Sequence, residues 1–249
     1  MPASAVPTRP GGRRNKIRSQ PEPNAGVRLV PNSWNGARLF LASSNEGKLA
    51  EFRALARTFS RVTPTWSGST SAIAPIELEA LPRFDEIPPF PENAPTFAEN
   101  ALSKALHYSR VRGGMIFADD SGLVVPALGG APGVHSARYA GPQGTSPQRI
   151  EKLLREMAEK KGSERAAYFV CAIALAERGR ALAVVTDRVD GEILTSPRGS
   201  GGFGYDPVFY FPPLGKTFAE LRAEEKNLHS HRGKAFRKLL AFLAVGPSP

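Results

Sequence analysis

The run Phe117-Ala-Asp-Asp-Ser-Gly122 constrains this chain more than any other. Two adjacent carboxylates close the short apolar stretch Met115-Ile-Phe-Ala118, and serine and glycine follow at once. This is how a strand delivers Asp119 and Asp120 into a cleft and then turns away. Paired carboxylates at a strand end hold a hard cation, activate a water, or both. If the backbone there is extended, the two side chains point to opposite faces and do not share the work equally. The same letters also fit a solvated Asx-type turn, and the run alone does not separate the two.

With 249 residues, 41% of them hydrophobic, the chain has enough apolar material for one large domain or two small ones. Its one cysteine, Cys171, excludes an internal disulfide and suits a reducing cytoplasm. Cys171 lies in the apolar run Tyr168–Leu175 and reads as a core filler. No apolar run approaches a membrane span, and zinc-type Cys/His spacing is absent. The net charge of +10 invites a nucleic-acid reading. Residues 1–38 carry +6 of it, leaving +4 for residues 39–249. The segment 1–36, rich in Pro, Gly, Ser and Asn, is expected to be a disordered, dispensable leader. A mis-assigned start codon and a weak polyanion-binding arm are the other readings. It lacks the apolar core of a secretory signal.

Ala37–Ala42 reads as a first strand, Ser43-Ser44-Asn45-Glu46-Gly47-Lys48 as a polar turn, and a helix follows to about Phe59 with Leu49, Phe52, Leu55 and Phe59 on one face. Such a turn offers unpaired N–H groups to a phosphate. It is not a Walker A loop, and an Asn-capped helix start needs no ligand, so both readings stand. Residues 62–95 are irregular, with Glu92 near their end. Thr96-Phe-Ala-Glu99 is a capping box opening a helix to about Arg110. Asn100 and Lys104 share one face of it, although Lys104 alone also fits a solvated lysine. A helix with Pro147 at its start carries Ile150, Leu153, Leu154 and Met157 inward. Residues 166–176 and 180–189 form a strand pair. Ser200–Pro207 is glycine-dense and, counted from Gly199, satisfies G-x-G-x-x-G. The Pro-flanked run after it excludes the dinucleotide fold, which requires a helix there. Phe203 and Tyr205 read as exposed aromatics that stack on a base or plug a surface. The last helix starts near Ser230. It places His231 and Arg232 in its first turn, where cations are disfavoured unless they meet an anion or a carbonyl oxygen. Lys226 lies just before.

Six blocks, in order, resemble the inosine triphosphate pyrophosphatase (HAM1-like) family. They are Leu41–Lys48, Thr96–Ala105, Ala118–Val125, Leu128–Gly141, Gly201–Pro207 and Glu225–Lys234. The resemblance runs from about Arg38 to Leu243. It implies an α/β fold with a long mixed central sheet flanked by helices and two lobes around an active-site cleft, in one domain over residues 37–245. It also implies a cytoplasmic homodimer with no membrane or specific nucleic-acid partner. The implied activity is Mg²⁺-dependent hydrolysis of purine nucleoside triphosphates such as ITP, dITP and XTP, to the monophosphate and pyrophosphate. Two departures stand out. Ser43-Ser44-Asn45 replaces the usual Thr-Gly-Asn, which is tolerable if Ser44 needs no positive φ. Pro91-Glu92-Asn93-Ala94-Pro95 replaces an acidic Glu-Thr-Gly, with Glu92 in the acidic position. Residues 66–75 look like an insertion.

The resemblance also implies roles. Ser43, Ser44, Asn45, Glu46, Gly47, Lys48, Lys104 and Ser121 would surround the phosphates. Glu92 and Asp120 would hold Mg²⁺ with Asp119 nearby; Asp120 and Asp119 are the catalytic pair the resemblance implies, Asp120 activating the water that attacks the α-phosphorus. Phe203 and Tyr205 would stack the base, a contact of roughly 1–3 kcal/mol, with Gly204 between them. His231 and Arg232 would donate to the 6-oxo group that ATP lacks, with Asp206 and Lys226 beside them. GTP shares that oxygen, so its rejection involves the 2-amino position. A Maf-type nucleotide pyrophosphatase and a non-catalytic nucleotide or RNA binder are the alternatives. Steep salt dependence without pyrophosphate release would mark the binder.

Overall fold

Two short parallel strands beside five antiparallel ones, three of them long, set the architecture. The computed structural model describes residues 38–59 and 76–245. The expected leader over residues 1–36 and the insertion at 66–75 lie outside these, as does the side chain of Phe59. Strand β1 (Arg38–Leu41) buries Leu39 and Leu41 completely, and α1 (Glu46–Phe59) returns along the sheet. After β2 (Glu77–Ala80) the chain runs irregularly to α2 (Phe97–Val111). Thr96 caps α2 by accepting the Glu99 N–H, as its sequence predicts. Then come β3 (Met115–Val124), α3 (Ser146–Glu156), β4 (Ala166–Glu177), β5 (Arg180–Ile193), β6 (Phe209–Phe211), β7 (Lys216–Thr217), α4 (Ala223–His229) and α5 (His231–Val245). The sheet order is β2-β1-β3-β4-β5-β6-β7, with β1 parallel to both its neighbours and the remaining pairs antiparallel.

Three buried clusters fill the fold. Leu39, Leu41 and Phe117 face α1 and α5, where Phe52 meets Phe117 edge-on and Phe236 closes the group. The opposite sheet face packs Ile116, Ala118 and the alanines of β4 against α2. A third cluster sits at the far end of the long strands, where Leu123 and Phe169 join α3, β6 and Phe218. The two lobes are therefore two ends of the same strands β3, β4 and β5.

The expectation that the chain turns away after Asp119 and Asp120 is corrected. Strand β3 continues through Ser121, Gly122 and Leu123 to Val124, paired with β4 throughout. The carboxylates lie mid-strand, and Gly122 serves packing rather than a turn. A Cβ there would stand 2.5 Å from Ser136 Oγ and 2.6 Å from Gly133 O. Strands β2, β6 and β7 and helix α4 were not anticipated; they are two to seven residues long, too short to impose a hydrophobic period.

Candidate active site

The cleft exists because β1 is shorter than β3. The last β1–β3 pair is Leu41 with Phe117, and Ala42 N–H adds a bond to Phe117 O at 2.9 Å. Beyond that point one edge of β3 has no β1 partner. Helix α1 leaves the end of β1 toward one sheet face and α2 covers the other. This 2-1-3 arrangement makes a topological switch point, where α/β sheets bind ligands. The resulting cleft encloses about 430 Å³, within the range of small-molecule sites.

At one end lies the turn after β1. Ser43 Oγ accepts the Asn45 N–H at 3.1 Å, and Asn45 Oδ1 accepts the Lys48 N–H at 3.0 Å, so Asn45 caps α1. Ser43, Ser44, Asn45 and Lys48 line the cleft. Among the described residues only Arg83 and Arg178 are non-glycine positions with positive φ, so Ser44 replaces glycine without strain. Glu46 is exposed and does not line the cleft, and neither does Gly47. Gly47 acts indirectly: a Cβ would stand 3.2 Å from Phe203 Cδ1, so its absence lets the aromatic loop approach the turn.

The adjacent aspartates face opposite ways, as strand geometry requires. Asp119 is fully buried toward α1 and α5, bonded to Lys48 Nζ at 3.0 Å and Ser121 Oγ at 2.8 Å, with Arg232 Nε at 3.7 Å. Burial pushes its pKa up, but Lys48 and Arg232 together outweigh this and hold it well below the usual carboxylate range. Asp119 does not line the cleft and is a counter-ion behind it. Asp120 points toward α2, takes the Asn100 Nδ2–H at 2.9 Å and does line the cleft. Burial, and then the nearby Glu92 carboxylate, push its pKa up to about 6. Lys104 Nζ bonds Glu92 Oε1 at 2.7 Å and the Asp119 carbonyl, on the free edge of β3, at 3.0 Å. Burial disfavours its charge, but Asp119 and Glu92 outweigh that and raise its pKa.

The glycine-rich loop forms the other end. Gly202, at φ +69°, lets the backbone fold over Asp206, which accepts the Phe203 N–H at 2.8 Å and Lys226 Nζ at 2.6 Å. Burial outweighs Lys226 and raises the Asp206 pKa. The Phe203 ring carries Lys226 Nζ at 4.6 Å and the Arg232 guanidinium at 5.3 Å from its centroid. The expectation that Tyr205 is an exposed aromatic is corrected. It is buried in the third cluster because its hydroxyl finds the Ser136 carbonyl at 2.9 Å, and only part of it meets the cleft.

The pair His231 and Arg232 also differs from its sequence reading. His231 stacks on Phe169 at 4.7 Å, and burial with Arg232 and Lys226 nearby drops its pKa well below 6.5, so it is neutral rather than cationic. Its Nδ1 is buried without a hydrogen-bond partner. The charge of Arg232 is met inside the protein by Glu51 Oε2 at 2.5 Å, and Glu51 Oε1 reaches Lys226 at 2.7 Å. Sequence reasoning missed Glu51. Its one local signal is the i,i+3 relation to Lys48 on α1.

The donor set suits Mg²⁺. Among the described residues no group of three or more His, Cys, Asp or Glu is placed to hold a metal alone. Glu92 and Asp120 form a pair close enough for one carboxylate to raise the other's pKa. Mg²⁺ is commonly held by one or two carboxylates together with substrate phosphates and waters.

A switch-point cleft lined by Lys48, Lys104, Lys226 and Arg232, by the carboxylates Glu92 and Asp120, and by the cation-backed Phe203 marks an α/β protein whose cleft suits a polyanionic ligand. The chain belongs to the Ham1 family, which it matches over residues 39–242. It is 49% identical over 201 residues to a dITP/XTP pyrophosphatase of Geobacillus kaustophilus, covering 81% of this chain and 91% of that one. It is 43% identical over 215 residues to a dITP/XTP pyrophosphatase of Thermus thermophilus, covering 86% and 95%. The solved structure of a HAM1 protein from Coxiella burnetii superposes with a TM-score of 0.69 at 39% identity, covering 83% and 98%. The Staphylococcus aureus Ham1 protein gives 0.68 at 35%, covering 83% and 97%.

Proposed function

We propose that this protein hydrolyses non-canonical purine nucleoside triphosphates, ITP, dITP and XTP, to the monophosphate and pyrophosphate. The names carried by its relatives support this reading. The observation that carries it is the placement of Asp120 and Glu92 opposite Lys48 and Lys104 along the free edge of β3. Mg²⁺, held by Glu92 and Asp120, would neutralise phosphate charge when bound. Lys48, Lys104 and the N–H groups of the Ser43–Lys48 turn other than those of Asn45 and Lys48, which bond Ser43 Oγ and Asn45 Oδ1, seat the triphosphate. Asp120, with its pKa near 6, is poised to take the proton of the water that attacks the α-phosphorus. The bond from that phosphorus to the bridging oxygen breaks, and pyrophosphate leaves.

The base lies against Phe203. His231 and Arg232 line the cleft beside Phe203 and would donate to the keto edge of the base. An adenine 6-amino group would leave these donors unpaired, at about 1–3 kcal/mol each. Asp206 and Lys226 order the loop. A cytoplasmic homodimer, with catalysis confined to residues 37–245, completes the proposal. The test is pyrophosphate release from ITP, XTP, GTP and ATP at equal concentration, with Mg²⁺ and with EDTA. Mg²⁺-dependent release from ITP and XTP well above GTP and ATP is expected. Release of single phosphates, or a preference for pyrimidines as in Maf-type enzymes, would overturn it.

A further inference from the structure

Three consecutive residues of the short helical segment Gly133–Arg138 each hold a different part of the site. The Ser136 carbonyl accepts the Tyr205 hydroxyl at 2.9 Å, the Ala137 carbonyl accepts Arg149 Nη1 at 2.6 Å, and Arg138 Nη2 donates to the Glu92 carbonyl at 2.9 Å. The segment is itself anchored to β3. Ser136 Oγ accepts the Leu123 N–H at 2.9 Å and donates to Gly133 O at 2.7 Å. The strap that carries Glu92 is the reverse case. Residues 87–96 contain no helix or strand. Tyr108 holds this strap at the Phe90 N–H (3.2 Å) and Asn100 holds it at the Ala94 N–H (2.9 Å). The bond from Arg138 is made to the backbone of Glu92 itself, and Arg138 Nε is in turn oriented by His135 Nδ1 at 3.2 Å.

We propose that Arg138 is a positioning residue: it fixes Glu92 as a cation ligand from the wall that also anchors the base loop through Tyr205. This rests on the reading of Glu92 and Asp120 as the cation-holding pair. The strap is pinned by a side chain from across the cleft. Arg138 touches neither substrate nor cation in this role.

Electrostatics and positioning make opposite predictions, which gives the test its sign. Removing a positive charge near a cation site strengthens cation binding by Coulomb's law alone. Removing a group that orients a ligand weakens it, by about tenfold or more for outer-shell partners. The experiment is Mn²⁺ binding to the nucleotide-free protein, read from the electron paramagnetic resonance of free Mn²⁺, in wild type, Arg138→Gln and Arg138→Lys. The proposal expects about tenfold weaker binding in Arg138→Gln and an intermediate value in Arg138→Lys, with melting temperatures close to wild type. Equal or tighter binding in Arg138→Gln overturns it while leaving the cation pair in place. If Glu92→Gln binds Mn²⁺ as well as wild type, the reading of the pair fails and the proposal falls with it. Should Arg138→Gln not fold, Arg138→Lys against wild type carries the same comparison.

Discussion

Replacing Glu51 with glutamine tests whether the buried cations depend on one carboxylate. Glu51 holds Lys226 at 2.7 Å and Arg232 at 2.5 Å, and its side chain is only 14% exposed. Around it, Glu51, Asp119 and Asp206 balance Lys48, Lys226 and Arg232. Glutamine keeps the shape and removes one negative charge. Lys226 retains Asp206 at 2.6 Å, but Arg232 is left with Asp119 at 3.7 Å. Breaking a buried pair from one side costs about 3–5 kcal/mol, since the remaining charge is uncompensated. For a domain of this size each kcal/mol shifts Tm by about 2–4 °C. Thermal unfolding of Glu51→Gln at pH 7 is therefore expected about 6–20 °C below wild type. A Tm within about 2 °C of wild type would refute the argument, since it would mean water or Asp119 alone satisfies Arg232.

Asp120→Asn is expected to lose about 10²–10⁴-fold in kcat while keeping its fold. At pH 7 without metal it should be more stable than wild type, on the order of 2–3 kcal/mol, because the raised pKa near 6 marks a carboxylate whose charge disfavours the folded state. Near-normal kcat, or a clear loss of stability, would remove Asp120 from this role. Arg232→Ala should narrow the ITP-to-ATP ratio in kcat/KM, and an unchanged ratio removes Arg232 from base reading. His231 supplies a pH test. Its folded pKa lies below 6.5, so the unfolded chain binds the proton more readily. The stability it contributes is complete above that pH and is lost as pH falls below it. The unfolding free-energy difference between wild type and His231→Gln should therefore shrink from pH 7 to pH 5, by at most about 1.4 kcal/mol per unit. A difference constant over that range refutes the assignment.

Residues in contiguous motifs were legible in the sequence, and residues whose partners lie far along the chain were not. The Asp119-Asp120 pair, the Ser43–Lys48 turn and the capping box of α2 each carry their meaning within a few residues. Glu51 meets Lys226 across 175 positions and Arg232 across 181, and Arg138 meets Glu92 across 46. No local pattern encodes these pairings. Tyr205 misled because the glycines just before it, Gly201, Gly202 and Gly204, suggest exposure, whereas the Ser136 carbonyl, 69 residues away, draws its hydroxyl inward. Strand β3 was cut short because Asp-Asp-Ser-Gly reads as turn chemistry. Pairing with β4 from Met115 to Val124 overrides that local preference.

That ladder has a consequence for fidelity. Because side chains alternate along a strand, a slip of β3 by one residue would turn every one of its side chains to the opposite face. A slip toward the Val124 end would bring Asp119 to the carboxylate seat beside Asn100 and put Ala118 where Asp119 meets Lys48 and Arg232. The cleft would still show one carboxylate from β3, but the buried cations behind it would lose their counter-ion on that strand. The hydrophobic neighbours forbid this, since Phe117 and Leu123 would leave the cores that hold them. Here the apolar residues act as the alignment key that decides which aspartate is which.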